Sequence, residues 1–284
     1  MIIERAIEAA KRRRQEAALQ DARAEPVKTT ATAQRAKRIV VEREPISAVT
    51  LQLDRIDYNR ELCQKTRILV PNSVLGANSG ALDAYGILRT RLSLLMKSKN
   101  WTTLGVTSPG PEEGKSVTAL NLALSLARDK NRNIFLLDLD LRSPRICSYL
   151  GIRPKTEIWT YFAGSSSADQ LLFSIGVDNL ALAGGVFSTS ASSELLGTGR
   201  LEELIAYIRT IDPNGLILFD LPPVLNTADV LVVAPSIDAV LIVASVGKTR
   251  RDSLASAVDV LSPFEVAGLV LNRSQETVGD YYGS

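Results

Sequence analysis

Apolar and polar positions alternate with two different periods from residue 81 onward. Helical periodicity first extends over Ala81–Met96. Short runs rich in β-branched and aliphatic residues predict strands at Thr102–Thr107, Asn133–Leu137, Leu180–Ala183, Leu216–Phe219, Val240–Ala244 and Gly268–Leu271. Further helices are predicted at Ser116–Arg128, Glu194–Arg209 and Arg251–Leu261. Because the runs are apolar on both faces, they indicate an α/β fold whose doubly wound, mostly parallel sheet carries helices on both faces.

The first part of the chain has a different pattern. Residues 2–20 are predicted to form a helix with a short apolar face, residues 23–47 read as a polar, alanine-rich linker, and residues 49–78 are intermediate and expected to pack on the domain surface. The predicted organisation is therefore an N-terminal helix and flexible linker at residues 1–75, an α/β domain at residues 76–274 and a tail at residues 275–284.

Composition narrows the range of functions. The chain is 45% hydrophobic and 23% charged, typical of a globular protein, and its apolar stretches are far shorter than the roughly 20 residues of a membrane-spanning helix. No secretory signal is recognisable, so we expect a cytoplasmic protein. The absence of histidine excludes histidine-based zinc sites and catalytic triads.

The charge distribution argues against nucleic-acid binding. Residues 1–44 contain 11 Lys and Arg against 7 Asp and Glu, whereas the remaining residues contain 22 against 24. The predicted domain is therefore slightly acidic, and we expect it not to bind nucleic acid. The basic N-terminal helix has interleaved acidic residues, which favour a solvated or partner-docking role over a membrane contact.

A glycine-containing loop follows the first predicted strand. It reads TSPGPEEGKS over Thr107–Ser116 and leads directly into a helix. Backbone N–H groups at such a helix start can hold phosphate oxygens, while Lys115 adds a positive charge and the Ser116 hydroxyl can ligate magnesium. Pro109 stands where the usual motif has its first glycine. The alternative is a plain strand-to-helix turn in which Gly114 relieves strain and Lys115 is solvated.

Carboxylates follow two other predicted strands. Asp138 and Asp140 come after the second strand, and Asp220 after the fourth. Each alone could be a helix cap or a solvated strand end. Because the carboxyl ends of parallel strands share one edge of a sheet, these residues are expected to meet Lys115 and Ser116 around a phosphate-bound Mg²⁺. Such a set is suited to phosphoryl transfer.

These motifs resemble those of a known family. Residues 80–284 are similar to the bacterial tyrosine kinases of capsule and exopolysaccharide assembly (the BY-kinases), themselves relatives of the MinD and ParA ATPases. The resemblance rests on SPGPEEGKS as Walker A, LLDLDLR as Walker A′ and LFDLPP as Walker B, with supporting matches at Ser193–Leu196, Gly247–Arg251 and Val270–Arg273. Residues Ile3–Ile7 resemble the start of the separate kinases associated with exosortase-linked polysaccharide systems.

The resemblance implies a P-loop kinase domain that uses ATP and Mg²⁺ to phosphorylate protein tyrosine. It implies that Ser116, Asp140 and Asp220 bind the metal, Asp220 through a water, and that Asp138 is the candidate base. The implied nucleotide contacts are Gly110, Glu113, Gly114, Lys115, Ser116, Val117, Arg142 and Asn272, the last at adenine. The implied phosphoacceptors are Tyr281 and Tyr282 in the tail.

The resemblance also implies a regulatory role and partners. The kinase would regulate exopolysaccharide polymerisation and export, and a membrane chain-length determinant (Wzz-like) protein would activate it and recruit it to the inner face of the plasma membrane. A homo-oligomer through the Asp83–Arg89 helix is also implied, although Asp83 and Gly86 differ from the family motif, as Glu112 does in the loop. Two alternatives stay open. One is a MinD/ParA-type positioning ATPase, although this chain has Gly110 where those proteins have their signature lysine. The other is a catalytically weak ATP-binding regulatory subunit.

Overall fold

A computed structural model describes residues 51–71 and 79–274. The predicted N-terminal helix and linker, and the tail with Tyr281 and Tyr282, lie outside the described residues.

The described residues form nine α-helices and six strands. The α-helices are α1 (Arg60–Lys65), α2 (Ser79–Lys99), α3 (Lys115–Leu126), α4 (Ile146–Leu150), α5 (Ile158–Phe162), α6 (Ser192–Leu196), α7 (Arg200–Ile211), α8 (Asp229–Val233) and α9 (Arg251–Val260). The strands are β1 (Thr103–Thr107), β2 (Ile134–Asp138), β3 (Leu180–Ala183), β4 (Leu216–Asp220), β5 (Ala239–Ser245) and β6 (Val266–Asn272). Across these ranges no helix is both long enough and apolar enough to cross a bilayer.

The six strands form one sheet in the order β3-β2-β4-β1-β5-β6, with every neighbouring pair parallel. The predicted doubly wound α/β fold is therefore confirmed. In the register of β2 and β4, Asp138 lies directly beside Asp220, and Val106 of β1 lies on the other side of Asp220. The topology thus brings the strand ends that carry the candidate site to one edge of the sheet.

Both faces of the sheet are covered, because successive strand residues point to opposite sides. Leu136 and Leu218 pack in a buried cluster with Leu122 of α3. Their neighbours Phe135 and Phe219 belong to a second cluster on the other face. This two-sided packing explains why the strands read as continuous apolar runs.

The predicted helix over Glu194–Arg209 is wrong, because the chain forms two helices there. Helix α6 ends at Leu196 and α7 begins at Arg200. Gly199 between them has a φ of 79°, a left-handed conformation that a continuous α-helix does not allow. The periodicity of the two helices hides this break in the sequence.

The segment before the predicted domain contributes to the core. Cys63, Ile68 and Val70 are buried in the cluster beneath α3. The buried Asn121 of α3 holds this segment, since its Oδ1 accepts from the Leu69 N–H at 2.8 Å and its Nδ2 donates to the Arg67 carbonyl at 3.0 Å. Residues 51–71 therefore pack more deeply than the expected surface segment.

Candidate nucleotide-binding site

The predicted phosphate loop connects β1 to α3. Gly114, immediately before α3, has a φ of 94° and no side chain to cap the helix. The first N–H groups of α3 therefore lie at the loop without a side-chain cap, as an anion cradle requires. A Cβ on Gly114 would lie 2.0 Å from Asn272 Nδ2, so a larger residue would displace the Asn272 side chain and would also be strained at this φ.

Lys115 joins two of the predicted acidic motifs. Its Nζ lies 2.7 Å from Asp140 Oδ2, 3.9 Å from Asp220 Oδ1 and 3.2 Å from Ser116 Oγ. All four side chains are buried. Burial acts to lower the pKa of Lys115, but the negative charges of Asp220 and Asp140 outweigh it and raise the pKa to about 12. The expected convergence of these groups is therefore what the structure shows.

Asp138 is completely buried at the end of β2. Its Oδ2 accepts from the N–H groups of Arg145 and Ile146, each at 3.0 Å, and its Oδ1 accepts from the N–H of Asp140. Burial, and then the nearby charge of Asp220, raise the pKa of Asp138 well above its ordinary value. A carboxylate with a raised pKa is a stronger base than a solvated one.

Asp220 is also completely buried, and neither of its carboxylate oxygens has a hydrogen-bond partner among the described residues. Burial raises its pKa to about 6, against the opposing effect of Lys115. A buried carboxylate without a donor calls for a cation or a water.

The donor set fits Mg²⁺ as the bound cation. Asp220, Asp140 and the Ser116 hydroxyl offer only oxygen atoms, the ligands that Mg²⁺ prefers. Within residues 51–71 and 79–274, no three or more His, Cys, Asp or Glu side chains are grouped so that they could hold a metal ion by themselves. Mg²⁺ usually takes one or two protein carboxylates and completes its shell with water and phosphate oxygens.

The β5–α9 connection and the end of β6 hold the loop from outside. Glu113 Oε1 accepts from the Thr249 hydroxyl at 2.7 Å, while its Oε2 accepts from the Gly110 N–H at 3.1 Å. Asn272 Nδ2 donates to the Glu113 carbonyl at 2.9 Å, so Asn272 contacts the phosphate loop. Thr249, within the supporting match at residues 247–251, has a part in this loop that the motifs did not indicate.

Glu112, the unusual loop residue, points away from the phosphate cradle. It has a φ of 58°, its side chain is 85% exposed, and its Oε2 lies 3.0 Å from Lys248 Nζ. The Arg273 guanidinium donates to its carbonyl. The left-handed backbone explains why glycine suits this position, and the outward side chain keeps its charge out of the cradle.

The remaining predicted site residues lie in different surroundings. Val117 is half-buried in the first turn of α3, and Arg142 pairs with Asp229, with its Nε 3.4 Å from Asp229 Oδ2. On α2, Asp83 is exposed, and Arg89 donates to the Ser125 carbonyl of α3 at 3.1 Å.

A phosphate loop with a lysine and three carboxylates at one edge of a parallel sheet defines a nucleotide-binding protein of the P-loop class. Within this class the chain is a relative of the bacterial tyrosine-protein kinases, as its sequence motifs predicted. It is 27% identical over 208 residues to the tyrosine-protein kinase YwqD of Bacillus subtilis, which covers 71% of this chain and 86% of the relative. It is 30% identical over 208 residues to the putative tyrosine-protein kinase EpsB of Ralstonia solanacearum. That match covers 72% of this chain and 27% of the relative, so the chain spans about a quarter of EpsB.

Solved structures agree with these relatives. The kinase domain of VpsO is 28% identical, with a TM-score of 0.61 over 69% of this chain and 97% of that one. The cell-division ATPase MinD of Pyrococcus furiosus, at 22% identity and a TM-score of 0.51, shares the fold. No family model matches the chain.

Proposed function

We propose that this protein is an ATP- and Mg²⁺-dependent protein-tyrosine autokinase that regulates the polymerisation and export of an exopolysaccharide. The observation that carries the proposal is the contact of Lys115 with Asp140, Asp220 and Ser116 at the start of α3. The similarity to tyrosine-protein kinases supports protein tyrosine as the acceptor.

In this proposal the loop and Lys115 hold the phosphates of ATP. Lys115 Nζ pairs with Asp140 at 2.7 Å in this structure. Bound phosphates would attract the Lys115 ammonium away from Asp140, and the Asp140 carboxylate would then be available to the metal. Ser116, Asp140 and Asp220, the last through a water, would hold Mg²⁺, which neutralises phosphate charge as the phosphoryl group transfers. Gly110, Glu113, Gly114 and Val117 would shape the cradle.

The transfer joins the tyrosine oxygen to the γ-phosphorus and breaks the bond from that phosphorus to the leaving oxygen of ADP. Asp138 is the proposed acceptor of the tyrosine proton. Its raised pKa supports this role, because a carboxylate with an ordinary pKa near 4 is a weak base toward a phenol near 10.

The proposed acceptors are Tyr281 and Tyr282. Strand β6 ends at Asn272, which contacts the phosphate loop nine residues before Tyr281. Nine further residues can extend about 30 Å, which brings the tail within reach of its own site or that of a neighbour. Tethering supplies a local concentration of order millimolar without a tight peptide pocket. Two phosphotyrosines would then add about three to four negative charges to the tail.

The proposed partner is a membrane chain-length determinant protein that activates the kinase at the inner face of the plasma membrane. A homo-oligomer through the Asp83–Arg89 helix is proposed with it. Gly86 of this helix has open space around it, since a Cβ there would meet nothing within 4 Å. A Cβ is therefore accommodated at this point of the helix.

Incubation with γ-labelled ATP and Mg²⁺ tests the proposal. The wild-type protein is expected to become labelled, the Tyr281→Phe/Tyr282→Phe variant to lose the label while still binding ADP, and Lys115→Met to lose both. Tyr58→Phe, a tyrosine of the folded domain, is the matched control and keeps the label. Release of phosphate without labelled protein would instead support a positioning ATPase. ADP binding with neither labelling nor phosphate release, even with the partner present, would support a regulatory subunit.

A further inference from the structure

A buried carboxylate outside the proposed metal shell connects three elements at the same sheet edge. Asp229, the first residue of α8, is completely buried. Its Oδ2 accepts from the Ser192 hydroxyl at 2.6 Å, and its Oδ1 accepts from the Ser193 hydroxyl. The Arg142 Nε lies 3.4 Å from Asp229 Oδ2. The charge of Asp229 is thus met by two hydroxyl groups and a guanidinium, as a buried carboxylate requires.

The two residues of this ion pair follow the two proposed acidic metal ligands along the chain. We call the segment after β2 the Asp140 loop and the connection from β4 to α8 the Asp220 loop. Arg142 follows Asp140 by two residues, and Asp229 follows Asp220 in the connection from β4 to α8. Lys115 contacts both Asp140 and Asp220 from the other side. The Arg142–Asp229 pair on one side and Lys115 on the other therefore connect the Asp140 loop to the Asp220 loop at two points, which closes a ring.

Helix α6 adds a third connection. Its Ser193 hydroxyl both donates to Asp229 and accepts from the Arg142 Nη2 at 3.4 Å. The nearby Thr189 N–H donates to the Leu141 carbonyl at 2.8 Å, which ties the segment before α6 to the Asp140 loop. The Asp140 loop cannot move away from the Asp220 loop without breaking several of these contacts.

We propose that Asp229 and Arg142 are positioning residues that set the separation of Asp140 and Asp220, and with it the affinity of the site for Mg²⁺ bound to nucleotide. This inference rests on the proposed function and gives Arg142 a role different from the nucleotide contact that the family resemblance implies. Residues that orient metal ligands from outside the metal shell commonly change metal affinity by about 10- to 100-fold when they are replaced.

Calorimetric titration of the full chain with ADP, in Mg²⁺ and in EDTA, tests the inference without requiring phosphoryl transfer. In Arg142→Met and in Asp229→Asn, the gain in ADP affinity that Mg²⁺ confers is expected to fall about tenfold or more, while affinity in EDTA stays unchanged. The double variant is expected to lose no more than either single variant, because both substitutions open the same ring. Arg142→Lys, which keeps the charge, is expected to recover part of the loss.

Arg209→Met is the matched control. Arg209 donates to the Gly215 and Thr102 carbonyls at the opposite edge of the sheet. Its replacement is therefore expected to lower stability without changing the gain in ADP affinity that Mg²⁺ confers. If Asp229→Asn does not fold, Ser193→Ala takes its place, since Ser193 bridges the same pair.

Two results overturn the inference. Arg142 would be a direct nucleotide contact if Arg142→Met lowered the affinity for ADP equally in Mg²⁺ and in EDTA while Asp229→Asn and Ser193→Ala had no effect. Additive losses in the double variant would mean that the two residues act independently. Failure of wild-type protein to label its tail, with Mg²⁺-dependent ADP binding intact, would contradict the kinase proposal and leave this inference in place.

Discussion

Replacing Asp220 with asparagine is expected to stabilise the nucleotide-free protein while removing the proposed kinase activity. Burial raises the pKa of Asp220 from 3.8 to about 6, so ionisation at neutral pH costs the folded state about 3 kcal/mol. This cost already includes the attraction to Lys115, whose Nζ lies 3.9 Å away and which acts to lower the pKa. Burial of the asparagine amide without hydrogen-bond partners offsets part of the gain. We expect a net gain of about 1–2 kcal/mol at pH 7, or about 2–8 °C in Tm.

Thermal unfolding in EDTA between pH 4 and pH 8 measures this effect. The folded-state pKa of Asp220 lies above its unfolded value, so its favourable contribution is present below about pH 4 and is lost as pH rises through about 6. The Tm of Asp220→Asn should therefore exceed that of wild type increasingly from pH 4 to pH 7 and match it near pH 4. Saturating Mg²⁺ and ADP should reverse the order, because wild type, which has all three proposed ligands, gains more stability from metal binding than the variant.

Asp238→Asn is the matched control at the other edge of the sheet. Burial acts to raise the pKa of Asp238, but hydrogen bonds from Thr102 and Thr103 outweigh it and lower the pKa. The contribution of Asp238 is therefore present above its unfolded pKa and is lost as pH falls, so this variant should be less stable than wild type at neutral pH. A pH-independent loss of stability in Asp220→Asn would refute the reasoning, since it would make Asp220 a structural anchor.

Three further substitutions test other parts of the structure by thermal unfolding and ADP titration. Gly86→Ala should stabilise the protein by about 0.5–1 kcal/mol, because its Cβ meets no atom within 4 Å and alanine favours a helix. Gly114→Ala should weaken ADP binding, since its Cβ would displace Asn272 from the loop and alanine is strained at a φ of 94°. Asn121→Ala should cost about 1–3 kcal/mol, because it leaves the Leu69 N–H without its side-chain acceptor.

Each of these has a result that would contradict it. Destabilisation by Gly86→Ala would mean that the helix needs the flexibility of glycine at this point. ADP binding by Gly114→Ala at wild-type affinity would show that Asn272 moves freely away from the loop. An unchanged Tm for Asn121→Ala would mean that the segment around Leu69 contributes little to the folded state; Asn131→Ala, on an exposed turn, is the neutral control.

Much of the fold could be predicted from local pattern. The six strands were recognisable because a strand covered on both faces must be apolar throughout, and their parallel direction follows from their alternation with helices. The break between α6 and α7 was not recognisable, because a left-handed glycine leaves the surrounding helical periodicity intact. The burial of Cys63 and Ile68 was missed for a different reason: their partners on α3 are distant in sequence.

For the candidate site, the sequence by itself determined the chemistry: a lysine, a hydroxyl and three carboxylates at the ends of strands that one sheet brings together. Only the tertiary structure decided how each group is held. The unpartnered state of Asp220, the outward direction of Glu112 and the pairing of Arg142 with Asp229 all depend on residues from separate elements. Motif spacing records which residues follow a strand, whereas the direction and charge state of a side chain are set by neighbours that only folding supplies.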